Sequence, residues 1–180
     1  GQYPQWLSRS IGGRADPMRS KSALGHIGRL KASGKIVIRL EPKEGSRVPP
    51  LLREASYRAY RSTIWSAGVP QDGYEPVSEE ANHTTWTLVP AKTNSAGVNL
   101  ACYLPGGNAL LPLPTGSGRL ENLSAFTVQK NPLGAVLAQG PGLVVFDALY
   151  GPGATVDSPA NTNEDLSVPP RETNALNQVL

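Results

Sequence analysis

Gly140-Pro141-Gly142-Leu143-Val144-Val145-Phe146-Asp147-Ala148-Leu149-Tyr150-Gly151-Pro152-Gly153 is the stretch from which the rest of the chain can be read. Seven of the eight residues between its two Gly-Pro-Gly punctuations are apolar or aromatic, and turn chemistry ends the run on both sides. Eight residues closed off by Gly and Pro suit one strand across a small domain better than a helix. The run lacks strict alternation, which predicts a strand covered on both faces, as in the core of a two-sheet sandwich. Asp147 stands alone in it, so a structural partner such as an arginine or backbone amides is expected to hold its carboxylate.

The flanking sequence supplies further strands. Lys35 to Leu40 alternates, with Ile36, Ile38 and Leu40 on one face and Lys35 and Arg39 on the other. Leu24 to Leu30 is a weaker strand, Thr63 to Ala67 another, and Leu123 to Val128 leads toward the quoted run. His83 to Val89 and Val98 to Leu104 fit an antiparallel hairpin with a long loop, and Ala154 to Asp157 a short edge strand. Pro49-Pro50 opens the one predicted helix, Leu51 to about Arg61, with Leu52, Ala55 and Ala59 on one stripe and Arg53, Arg58 and Arg61 pointing away. Those three arginines face nucleic acid, a neighbouring subunit or solvent. The expected fold is all-β: an antiparallel sandwich of the jelly-roll kind, about eight strands, with one short inserted helix. It divides into a basic flexible arm over 1–22, a sandwich over 23–157 and a polar tail over 158–180.

Composition agrees with that class. The 180 residues include 19 Gly and 17 Pro, one chain breaker in five, which favours short strands and long loops. Cys102 is the only cysteine, so neither an intrachain disulfide nor a cysteine zinc cage is available. No run approaches the eighteen apolar residues of a membrane span, and no signal peptide opens the sequence, so a soluble, non-membrane, non-secreted protein is expected.

Charge is distributed unevenly. Residues 1–53 hold eleven Lys and Arg against Asp16, Glu41 and Glu44, a net +8, whereas residues 54–180 hold six bases against eleven acids, a net −5. A basic leading segment before a mildly acidic domain reads as a nucleic-acid-binding arm, and also as a solubilising tail. In the first reading Arg9, Arg14, Arg19, Lys21, Arg29 and Lys31 contact RNA phosphates.

Catalytic signatures are lacking. The sequence has no phosphate-binding Gly-rich loop, no dinucleotide fingerprint, no His-Glu-x-x-His and no Gly-x-Ser-x-Gly. His83, Asp147 and one of the many serines could be combined into a triad, as in any chain of this length, and no catalytic residue or enzyme activity is expected. Asp157, Glu164 and Asp165 are candidates to hold calcium between subunits, although their spacing matches no loop motif; otherwise no metal or cofactor is expected.

The order of features resembles the jelly-roll coat proteins of small icosahedral positive-strand RNA viruses. It is most similar to the tymovirus type: a strand (Lys35 to Leu40), a helix containing Tyr57-Arg58-Ala59, a Trp-bearing strand (Ile64-Trp65), a strand ending in Leu104-Pro105, then Gly140 to Val145 before a Gly/Pro turn. The resemblance spans roughly residues 24–157. Tymovirus-type coats lack a markedly basic arm, which fits sobemovirus-, bromovirus- or picorna-like relatives better, and the last strand of the roll is faint here. Gly1 suits a coat cut from a polyprotein. The resemblance implies a shell built of many copies around viral genomic RNA, located in the virion and assembled in the host cytoplasm. The alternative is a cellular β-sandwich module binding a ligand or glycan through Trp65, Trp86 and Tyr103, although the two tryptophans also suit a core.

Overall fold

The computed structural model describes residues 21–23, 36, 38–61, 64–67, 73–159 and 173, with the backbone course alone for 21–23, 60 and 61. The architecture is an antiparallel, all-β sandwich. Its larger sheet has six strands in the order β2 (Ile38–Pro42), β9 (Ala96–Tyr103), β15 (Leu143–Tyr150), β12 (Ser117–Glu121), β8 (Trp86–Thr87) and β7 (Ser78–Glu79). Opposite lie β10 (Asn108–Leu110), β14 (Val136–Gln139), β13 (Thr127–Lys130) and β6 (Glu75–Pro76). Two four-strand rows, β9-β15-β12-β8 and β10-β14-β13-β6, form the body, and β2 and β7 extend the first row at its ends. Smaller sheets pair β3 (Leu52–Arg53) with β11 (Leu113–Pro114), and β5 (Ile64–Ser66) with both β1 (Lys21–Ala23) and β4 (Ala59–Arg61).

The quoted run is the central strand, β15, paired with β9 over its full length from Leu143↔Tyr103 to Tyr150↔Ala96. Its even-numbered residues Val144, Phe146 and Ala148 enter the core with Val98, Leu100, Cys102 and Leu120 of the same sheet and Val128, Val136 and Ala138 of the other. One contiguous apolar cluster therefore joins the layers. Burial of the Cys102 thiol pushes its pKa up to about 11, which keeps it an inert core thiol.

Coverage of both faces of β15 is corrected for its first half. Leu143 and Val145 are about half exposed, because among the described residues no layer lies on the outer face of the six-stranded sheet there. Further along, that face is closed over Asp147 by polar side chains rather than by a second sheet.

The expected helix over Leu51 to Arg61 is replaced by β3 and β4. Eleven residues make a marginal helix unless an apolar stripe is packed, and here Leu52 packs on the core in an extended segment while Leu51 is 77 % exposed. The pairing Leu52↔Pro114 and Arg53↔Leu113 satisfies this backbone instead. The expected hairpin of His83–Val89 with Val98–Leu104 is also corrected: β8 pairs with β12 and β7, and β9 lies between β2 and β15. Trp86 draws its strand into the core, 3 % exposed, with Nε1 donating to the Leu123 carbonyl at 3.2 Å. Ala154 to Asp157 forms no strand, since Asp157 is turned onto Arg53. Lys21 and Ser22, placed in the flexible arm by the sequence, belong to β1 opposite Ser66 and Trp65. Strand Leu24 to Leu30 falls outside the described residues.

Candidate functional site

A cleft of about 710 Å³ lies between Ser56, Tyr57 and Arg58, Trp65 on β5, the turn at Leu133 and the segment ending in Asp157 and Ser158. Asp157 in its lining is held by an ion pair with a residue 104 positions earlier. Arg53 donates from Nη1 and Nη2 to the two carboxylate oxygens of Asp157 at 2.5 and 2.9 Å. This bidentate fork pins the chain after β15 to β3. The turn beside it is made by buried Asn131, whose Oδ1 accepts from the amides of Leu133 and Ala135, and Ser158 N–H donates to the Pro132 carbonyl at 2.8 Å. Gly134, at φ +80°, is required there: a Cβ would collide with Arg53 Nη2 and lie 2.8 Å from Asp157 Oδ1. The Arg53 hydrogen bonds hold the Asp157 carboxyl below its ordinary pKa against the opposing effect of burial, and the same contact raises that of Arg53. Trp65 is 41 % exposed and lines the cleft together with Arg58.

A second polar centre lies on the outer face of the six-stranded sheet. Asp147 accepts from Asn99 Nδ2, Lys43 Nζ and Asn122 Nδ2, each at 2.9 Å. Burial alone would raise its pKa, but the hydrogen bonds from Asn99, Lys43 and Asn122 outweigh that and hold it below its ordinary value. The register explains the cluster. Asn99 is directly opposite Asp147 across the β9–β15 ladder, and Asn122, at φ +59°, follows the Glu121 that faces Asp147 from β12. Asp147 is thus a satisfied structural carboxylate, held by a lysine and two asparagines.

On the same face, toward the other end of β9 and β15, Tyr103 is opposite Leu143, and Val145 opposite Ala101, which is paired in turn with Arg39. Tyr103, Leu143 and Val145 are 67 %, 51 % and 49 % exposed, and a groove of about 240 Å³ with Ile36 and Ile38 adjoins them.

The sequence-predicted site residues are dispersed relative to these features. Arg9, Arg14, Arg19, Arg29 and Lys31 lie outside the described residues, and Lys21 is placed in β1 by its backbone. Arg53 is engaged internally by Asp157, Arg58 lines the cleft, and Arg61 ends β4. Trp65, Trp86 and Tyr103 occupy three places: the cleft rim, the core and the outer sheet face. His83 pairs with Glu79 on the surface, with 3.0 Å from Nδ1 to Oε1, while Asp147 is held by its own three donors, so the two do not come together. Glu164 and Asp165 lie outside the described residues. Among the described residues no three His, Cys, Asp or Glu side chains gather to hold a metal ion, and no helix is long and apolar enough to cross a membrane.

Sequence reasoning did not find Lys43, Asn99 and Asn122, although the lone Asp147 in an apolar run announced that partners must exist. In comparisons with known proteins, no family model, curated protein or solved structure matches the chain.

Proposed function

We propose that the chain is a structural coat protein whose copies close into an icosahedral viral shell, with the basic leading segment packaging RNA. The observation that carries this reading is the charge polarity of the chain on an all-β sandwich: a net +8 over residues 1–53 ahead of a net −5 over the remainder. Six of those bases, Arg9, Arg14, Arg19, Lys21, Arg29 and Lys31, are assigned to phosphate contact without base readout, as packaging of a long genome requires. Two structural features support the assembly half of the reading. The chain swaps layers at β9→β10, β12→β13 and β14→β15 through short connections, over 104–107, 122–126 and 140–142, which gather at the sandwich ends as contact surface. The apolar group Tyr103, Leu143 and Val145 faces outward on a sheet with no covering layer among the described residues, as a subunit contact would.

In this reading the partners are further copies of the chain and viral genomic RNA, the working location is the virion after assembly in the host cytoplasm, and the role is structural rather than catalytic. No cofactor is assigned. Asp157, the one described member of the calcium set, is committed to Arg53.

Replacing the six bases by Ala is expected to lower the RNA carried per particle and to leave the melting of the sandwich unchanged. For the unaltered protein, log affinity for single-stranded RNA should fall with log salt at a slope of about −4, from roughly 0.7 per phosphate over six contacts. Unchanged RNA content and an unchanged salt slope in the variant would remove the packaging role from this segment.

A further inference from the structure

The outer edge of the larger sheet carries a self-complementary charge pattern, and we propose that β2 is a two-fold contact at which one copy pairs with another through its backbone. The proposal rests on the self-assembly reading for its biological setting and on the geometry of β2 for its content.

β2 is a terminal strand: β9 pairs with one side, and no described strand pairs with the other. The Lys43 amide donates to the Gly97 carbonyl at 3.0 Å. In the same antiparallel register the odd-numbered residues of β2 therefore direct N–H and C=O toward β9, and Ile38, Leu40 and Pro42 direct theirs to the open edge. Pro42 stands where its missing N–H costs no bond to β9, the position in which a sheet tolerates proline.

Three symmetric antiparallel registers centred within residues 39–41 use these outward groups, and charge separates them. Centred on Arg39, the pairing sets Arg39 against Arg39 of the second copy. Centred on Glu41, it sets Glu41 against its own copy. Centred on Leu40, it sets Arg39 against Glu41 of the second copy twice, in the closer, non-hydrogen-bonded positions of the ladder. Both residues are exposed on the outer face, and among the described residues neither has an ion-pair partner. The Leu40-centred register also gives Leu40 N–H to the Leu40 carbonyl of the second copy, Ile38 N–H to its Pro42 carbonyl, and the reciprocal bonds. On the inner face Leu40 meets Leu40, and half-buried Ile38 meets Pro42. The like-charge clashes of the other two registers supply the specificity.

A contact of five residues per copy falls below the roughly 800 Å² per partner of a stable pair, so it is weak alone and gains strength by repetition in a closed assembly.

The test is sedimentation equilibrium of the full chain over a wide concentration range, with Arg39→Glu, Glu41→Arg and the double swap, each checked by thermal melting. Each single swap turns both attractive pairs into repulsive ones and should weaken dimerisation roughly tenfold, and the double swap should restore it. Single swaps without effect, or a double swap that fails to recover, overturn the contact. Hydrogen exchange gives a separate readout: protection of the Ile38 and Leu40 amides should rise with protein concentration. Protection that persists at high dilution would mean that the chain itself covers the edge, and would overturn the proposal. Particles with RNA that form equally well from Arg39→Glu would retire this contact and leave the coat reading standing. The swap pattern without any particle from the unaltered protein would retire the coat reading and leave the edge contact standing.

Discussion

Phe146→Ala lowers the free energy of unfolding by about 3–5 kcal/mol, the usual cost of emptying a fully buried aromatic site. Phe146 is 0 % exposed at the middle of β15, opposite Leu100 on β9, and it belongs to the cluster that both sheets share. Because β15 is paired with β9 along all eight residues, that wall of the resulting cavity is a ladder-bonded strand that cannot collapse far. The measurement is urea unfolding followed by both intrinsic fluorescence and circular dichroism. The midpoint should fall with an unchanged slope, and the two probes should coincide, as for one cooperative unit. Two separated transitions would show that the layers do not share a core.

Asp157→Asn removes the charge from the Arg53 fork and is expected to cost about 1–2 kcal/mol, the upper range for charged hydrogen bonds being discounted because both side chains are nearly a third exposed. The loss should be concentrated in residues 151–159, and exchange of the Ser158 amide, bonded to Pro132, is the local reporter. The pH dependence has a definite sign. The folded-state pKa of Asp157 is depressed below its ordinary 3.8, so the pair contributes fully above that value and is lost as pH falls through the folded pKa. The stability gap between the unaltered protein and the variant should therefore hold from neutral pH down to about 5 and close below 3.8. A gap that persists in acid would place the effect in packing rather than in the ion pair.

Local chemistry determined which parts of the fold were legible in the sequence. The Gly-Pro-Gly boundaries and apolar content of Leu143 to Tyr150 identified the central strand with the bounds the structure gives it. The alternation of Ile38, Arg39 and Leu40 correctly separated inner from outer face. The helix over Leu51 to Arg61 was inferred from a stripe of Leu52, Ala55 and Ala59, but two alanines and a leucine offer little area to bury, and pairing with Pro114 and Leu113 decides the backbone instead. Pairing partners were the least legible feature, since β15 joins β9 and β12 by register matches that sequence neighbours do not announce. The same holds for the site. Asp147 and Arg53 were both conspicuous alone, yet their partners are 104 residues distant in each of the pairs Lys43–Asp147 and Arg53–Asp157.

The Lys43 and Arg53 pairs act on the same part of the fold. Both tie the segment that follows β2 to the strand and loop around the second Gly-Pro-Gly turn. The segment that follows β2 is thereby anchored to the sandwich at two points.

The most direct measurement is size-exclusion chromatography of the protein from its native source, recorded at 260 and 280 nm, with electron microscopy of the leading peak. The coat reading predicts spherical particles of megadalton mass whose absorbance is dominated by RNA. A monomer or small oligomer free of nucleic acid would contradict it, and the cleft bearing Trp65 and Arg58 would then be the surface to test for ligand binding.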